Sequence, residues 1–212
     1  KSGVMITGSH NPKNYNGIKM VINDKPVAGT EILSLIGNES EKSNISKDAE
    51  ITFTDIKENY INEVINNISI PKDKKLKVVL DSGNGAAGCI APDLFQKLGF
   101  EVTELFSEVD GNFPNHHPDP GKIDNLKDLI SRVIEVKADV GLAFDGDGDR
   151  VGLVTDKGEI VFPDKLMMLF SKDILSRDKG RIVFDVKCSN QLENLITEQG
   201  GIPIMSPTGH FH

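Results

Sequence analysis

Cysteine is scarce in this chain, cationic side chains are outnumbered, and no apolar run approaches the length of a membrane span. Cys89 and Cys188 are the only two cysteines in 212 residues, and neither has a CxxC or CxxH neighbour. That excludes a disulfide framework and a cysteine-based zinc site, and it fits the reduced thiols of a cytoplasmic protein. Lysine and arginine number 24 against 32 aspartates and glutamates, a net charge of -8. Such a balance excludes a general nucleic-acid surface and attraction to anionic membranes, so recognition of any anion must be local. With no spanning segment and no signal peptide visible, a soluble protein is expected, with a small-molecule partner and neither nucleic acid nor membrane. Composition leaves the oligomeric state open.

A chain of 212 residues can build one large or two ordinary domains. Residues 3–7 read as a strand already inside a domain, and residues 207–212 stop in mid-loop, so the chain is expected to be a piece of something longer. Its first segment, to about residue 53, shows strand patterns at 4–7 and 17–22, a helix pattern at 30–37 and a polar loop at 38–47. A helix over 55–68 follows, with Ile56, Tyr60, Ile61, Val64, Ile65 and Ile68 near helical spacing. Strands at 77–81, 101–106, 140–144 and 151–155 then alternate with helices at 88–98 and 123–136. A third segment has a helix at 162–175, a strand at 181–185, a helix at 191–199 and a strand at 203–205. The fold class is α/β: layered domains in series, with mixed, largely parallel sheets.

The richest motif is Asp145-Gly146-Asp147-Gly148-Asp149-Arg150, on the exit of an apolar strand pattern. Three carboxylates so close repel unless a cation neutralises them, and the glycines let the backbone converge them on one ion. Oxygen ligands favour Mg²⁺, Mn²⁺ or Ca²⁺ over zinc. An EF-hand is one reading, since Asp145, Asp147, Asp149 and Asp156 fall at its first, third, fifth and twelfth positions. It lacks glycine at the sixth, where Arg150 stands, and a strand rather than a helix precedes it. An arginine beside the acids points to an anion meeting the metal, and phosphate is the commonest such anion.

Two other loops compete for attention. Gly83, Gly85 and Gly88 satisfy G-x-G-x-x-G after a strand, with Glu101, Glu104 or Glu108 in range as the acidic partner, so a dinucleotide-binding oxidoreductase is the alternative. The plainer reading is a tight turn in which Gly88 lets a helix pack close. Thr7-Gly8-Ser9-His10-Asn11-Pro12 leaves a strand and is followed by Tyr15-Asn16-Gly17-Ile18-Lys19, a place where a serine hydroxyl can face a ligand. Neighbouring Ser9 and His10 cannot form a hydrolase pair, and no G-x-S-x-G elbow exists. His116 and His117 lack partners at zinc spacing and read as loop structure, as Asp119-Pro120 reads as a turn.

Together the Ser9 and Asp145 loops resemble the α-D-phosphohexomutase family of phosphomannomutases and phosphoglucomutases. The run from Asp110 to Pro120 is similar to the family's long second-domain loop, and Asp185-Val186-Lys187-Cys188-Ser189 and Thr208-Gly209-His210 to two third-domain substrate segments. The resemblance implies a phosphoryl group on Ser9 and one Mg²⁺ held by Asp145, Asp147, Asp149 and an oxygen of that phosphate. It further implies Arg150 and His10 as donors to the phosphoryl group, Lys19 as general acid/base, and Lys187 and His210 as substrate ligands. The implied reaction interconverts hexose 1- and 6-phosphates through a hexose 1,6-bisphosphate. By the same likeness residues 1–54 belong to a first domain, 55–159 to a second and 160–212 to a third, of four. An oxidoreductase and a Ca²⁺-binding module remain the alternatives.

Overall fold

A computed structural model describes residues 1–9, 11–27, 29–36, 50–70 and 75–208. His10, His210, Gly209 and the loop expected at 38–47 lie outside the described residues. The described residues form three sheets, and their helices lie where the apolar periodicity puts them.

The N-terminal sheet is antiparallel: β1 (Gly3–Ile6) pairs with β2 (Ile18–Ile22), and β2 with the short β3 (Lys25–Pro26). Helix α1 (Gly29–Ile36) follows. Helix α2 (Lys57–Asn67) buries Ile61 completely. Lys97 approaches Glu58 of α2 at 2.9 Å, and Lys57 approaches Asp93 at 3.5 Å.

The central sheet has five strands: β4 (Lys77–Asp81), β5 (Glu101–Leu105), β6 (Val140–Phe144), β7 (Val151–Thr155) and β8 (Ile160–Val161), in the order β5-β4-β6-β7-β8. β4 runs parallel to both β5 and β6, whereas β7 and β8 join antiparallel. Only residues 145–150 link β6 to β7, too few for a crossover, so the metal-loop motif is itself the hairpin connection. Side-chain alternation on β4 sends Val78 and Leu80 to a core with Ala91 and Phe95, and Val79 to one with Leu129, Val133, Ala143 and Val154. Helices α3 (Ala91–Lys97) and α4 (Lys127–Val136) supply these two covers, which is why β4 reads as an unbroken apolar run. Each helix is entered through a short 3₁₀ turn, Ala86–Cys89 and Ile123–Leu126, where the sequence pattern reads as one continuous helix.

The third sheet pairs β9 (Arg181–Asp185) with β10 (Ile202–Ser206) in parallel. Helices α5 (Pro163–Arg177) and α6 (Asn190–Glu198) bury Leu175, Leu192 and Ile196 against Ile182 and Phe184. Pro163 opens α5 at a position whose N–H would be orphaned anyway, and Ser189 caps α6 by accepting from Gln191 N at 3.3 Å.

Candidate metal centre and serine loop

Parallel pairing of β4 with β6 brings their C-terminal ends to one edge, where open α/β sheets offer their loops to ligands. The turn after β4 holds the metal loop from below: Ala86 N donates to the Gly146 carbonyl at 2.9 Å. Across the sheet boundary, the loop leaving β1 descends on the same place. A Cβ on Gly146 would lie 2.4 Å from the Ser9 carbonyl oxygen, so the two loops approach this closely only because residue 146 is glycine. Ser9 itself adopts a left-handed conformation, φ 50°.

This juxtaposition assembles residues far apart in sequence. Ligand oxygens of Asp145, Asp147 and Asp149 all lie within 4.8 Å of one another. Ser9 Oγ donates to Asp145 Oδ2 at 3.3 Å, and Thr7 Oγ1 donates to Asp147 Oδ2 at 2.7 Å. Lys19, carried by β2, reaches Asp149 at 3.2 Å and Asp147 at 3.6 Å. Arg150 gives its backbone N–H to Asp145 Oδ1 at 3.0 Å, while its half-exposed guanidinium stands 3.9 Å from Asp145 and from Asp149. That guanidinium keeps most of its donor capacity for an anion.

The electrostatics call for a cation. Burial pushes the Asp145 carboxyl above its ordinary range, and the neighbouring charges of Asp147 and Asp149 push the same way. Burial opposes ionisation of Asp147 too, but the Thr7 hydroxyl and the Lys19 ammonium outweigh it and hold that carboxyl low. Asp147 Oδ1 is buried without a hydrogen-bond partner among the described residues, a costly state for a carboxylate oxygen unless a ligand takes it up. An all-oxygen set with one orphaned lone-pair site fits a hard divalent ion. Lys19 is held protonated, chiefly by its hydrogen bond to Asp149. A lysine acting as general base needs the opposite shift, and in this arrangement Lys19 does not have it.

The long loop between β5 and α4 closes over this edge. His116 Nε2 lies 3.0 Å from the fully buried Asp81 carboxylate at the end of β4, and its ring packs edge-on to Phe106. Asn84 ties the same loop twice, donating to the Glu108 carbonyl at 2.8 Å and accepting from Asn115 at 2.7 Å. Lys13 of the serine loop reaches Asn112 at 3.1 Å. Sequence reasoning passed over Thr7, Asp81 and Asn84. Thr7, two residues before the serine, was legible as a hydroxyl at a strand end, whereas Asp81 reads as the last residue of a strand and Asn84 as part of the glycine-rich turn.

Lys187 is elsewhere. It lines a cavity of about 660 Å³ between β9, β10 and the start of α5, together with Asp164, Asp185, Ser206 and Thr208, and no metal-loop residue lines that cavity. Its ammonium pairs with Asp185 at 3.2 Å. The structure thus brings Ser9, Lys19, Arg150 and the three aspartates together and leaves Lys187 in a separate recess.

The geometry supports neither a dinucleotide site nor an EF-hand. A Cβ on Gly85 would lie 2.8 Å from the Gly146 carbonyl, and one on Gly88 would lie 2.1 Å from the Ser107 carbonyl, so these glycines make room for backbone rather than for a pyrophosphate. The EF-hand fails because the strand β6, not a helix, enters Asp145. Family models for phosphoglucomutase/phosphomannomutase alpha/beta/alpha domains I, II and III match residues 1–45, 58–158 and 162–212, in that order. The chain belongs to the phosphoglucomutase/phosphomannomutase family. It is 54% identical over 211 residues to a phosphomannomutase/phosphoglucomutase of Pseudomonas syringae pv. tomato, covering 99% of this chain and 45% of that protein. A phosphoglucomutase of Neisseria meningitidis serogroup A is 46% identical, with 99% of this chain and 46% of the relative covered. Among solved structures, a phosphoglucomutase/phosphomannomutase family protein from Burkholderia thailandensis superposes with a TM-score of 0.88 at 42% identity, covering 99% of this chain and 46% of that one. The chain therefore spans a little under half the length of the curated relatives it matches.

Proposed function

We propose that this chain forms part of a phosphosugar mutase that interconverts hexose 1-phosphate and hexose 6-phosphate, of mannose or glucose, through a phosphoserine at Ser9 and a hexose 1,6-bisphosphate intermediate. The observation that carries the reading is the meeting of Ser9 Oγ with Asp145 at 3.3 Å across 136 residues of chain, beside two further carboxylates and an arginine. On this reading residues 1–54 are the end of a phosphoserine domain, 55–159 a metal-binding domain and 160–212 the start of a sugar-binding domain.

Asp145, Asp147 and Asp149, with a phosphate oxygen on Ser9, would hold one Mg²⁺, which supplies neutralisation of the charge on the phosphoryl oxygens. The chain's own groups do the rest. The P–O bond to Ser9 Oγ breaks as a P–O bond forms to the free hydroxyl oxygen at C1 or C6 of the sugar, and the hydroxyl's proton ends on Ser9 Oγ. Arg150 and His10 donate hydrogen bonds to the phosphoryl oxygens as they move, and alignment with fixed donors supplies more of the acceleration than covalent help does. Lys19 handles the proton: held protonated beside Asp149 it is an acid, and its use as a base requires release from that carboxylate. Lys187 and His210 bind the sugar phosphate from the third-domain side.

The polypeptide that carries this chain at its natural full length should convert hexose 1-phosphate to hexose 6-phosphate when Mg²⁺ and a trace of hexose 1,6-bisphosphate are present. The Ser9→Ala variant should be at least about 1,000-fold slower, the scale of losing a covalent nucleophile. A Ser9→Ala enzyme of near-normal rate sinks the proposal.

A further inference from the structure

Thr7 sits where the two loops are tied together, and its hydroxyl has one proton to give. Asp147 is an acceptor when ionised, so at 2.7 Å the Thr7 proton must point to Asp147 Oδ2. The hydroxyl oxygen is then left to accept, and it takes the Ser9 N–H at 2.9 Å. One side chain thereby fixes both the carboxylate and the backbone turn of the nucleophile, whose left-handed φ of 50° is unfavourable for a residue with a Cβ. Thr7 is itself held rigidly: its backbone N–H donates to the Gly17 carbonyl at 3.0 Å, and a β-branched side chain has few rotamers to choose from. Because Oδ2 is engaged by Thr7, it is Oδ1 of Asp147 that stays buried and unpartnered among the described residues.

We propose that Thr7 is a positioning residue of the metal site: its hydroxyl orients the Asp147 carboxylate so that Oδ1 is presented to a divalent cation, and couples that orientation to the conformation of Ser9. The inference rests on the metal site proposed above. It makes Thr7 a determinant of metal affinity in a residue that touches neither metal nor sugar. Groups that orient a ligand in this way change metal affinity by about 10- to 100-fold when removed.

The test is Mn²⁺ binding to the unphosphorylated chain, followed by loss of the free-ion electron paramagnetic resonance signal and displaced by Mg²⁺. Thr7→Val keeps the shape and removes the hydroxyl, Thr7→Ser keeps the hydroxyl, and Asp147→Asn removes the ligand charge. Thr7→Val should weaken Mn²⁺ binding by about 10- to 100-fold, Thr7→Ser should restore affinity to within about threefold of the parent, and metal-free circular dichroism should be the same for all. Thr7→Cys, close in volume and a poor donor, is titrated alongside so that misfolding of the valine variant does not remove the test. Binding by Thr7→Val and Thr7→Cys as tight as the parent's, while Asp147→Asn loses it, overturns the role of Thr7 and leaves the metal site standing. Absence of Mg²⁺-displaceable Mn²⁺ binding in the parent overturns the metal site itself, and the role of Thr7 with it.

Discussion

At the residue scale, His116 ties the long loop to the end of β4. Its Nε2 faces the Asp81 carboxylate at 3.0 Å and its Nδ1 faces the His117 carbonyl at 3.1 Å. Both partners are acceptors, an arrangement that favours the doubly protonated ring. The hydrogen bond to Asp81 raises its pKa above the ordinary 6.5, against the cost of burial. A folded-state pKa raised in this way contributes stability that is complete below about pH 6.5 and is lost as pH climbs through the higher folded value. His116→Ala leaves the buried Asp81 carboxylate without its cationic partner, with the Gly83 N–H at 2.9 Å still donating to Oδ1, and removing one member of a buried pair costs about 3 kcal/mol. Urea unfolding at a series of pH values should therefore give a gap between parent and His116→Ala that is widest near pH 6 and narrows towards pH 9. A gap constant across that range would contradict an ionised His116. Nothing in the sequence could have disclosed the pair, because Asp81 and His116 meet only when the long loop folds back over the end of β4.

At the scale of elements, the central sheet was legible because its residues obey simple periodicities. β4 reads as an apolar run since α3 and α4 cover its two faces, Leu129 and Val133 packing α4 against one of them. Leu129 is fully buried beneath the sheet, so Leu129→Ala should destabilise the chain by about 2–5 kcal/mol, seen as an earlier thermal midpoint with an unchanged far-ultraviolet spectrum. A loss below about 0.5 kcal/mol, the scale of surface substitutions, would mean that α4 does not seal that face. Less legible were the two 3₁₀ entries and the short strands Lys25–Pro26 and Ile160–Val161, because elements of two to four residues hold too few side chains to show a period. The antiparallel turn of β7 was hidden for a different reason. Its connection is Asp145 to Arg150, whose run of acids and glycines points to a metal loop and masks an ordinary hairpin behind an unusual composition.

For the whole molecule, the candidate site is assembled by contacts that cross between sheets. Thr7 reaches Asp147 over 140 residues of sequence, Lys19 reaches Asp149 over 130 and Lys13 reaches Asn112 over 99. The two motifs were recognisable separately in the sequence, but their convergence is a tertiary fact, as is the separation of Lys187 into its own cavity. The N-terminal sheet contributes these loops, and Val4, Met5 and Ile6 of its first strand are exposed in this chain. No helix among the described residues is long and apolar enough to cross a membrane.

The proposed function requires Ser9 and the aspartates to act as one phosphoryl-transfer site. Its most direct measurement is intact mass and peptide mapping of the full-length polypeptide after incubation with hexose 1,6-bisphosphate, with Mg²⁺ and with a chelator in its place. One phosphate on the peptide containing Ser9, present with Mg²⁺ and absent with the chelator or in Asp147→Asn, is the predicted result. Phosphate on another residue, or on Ser9 regardless of metal and of Asp147, would contradict it.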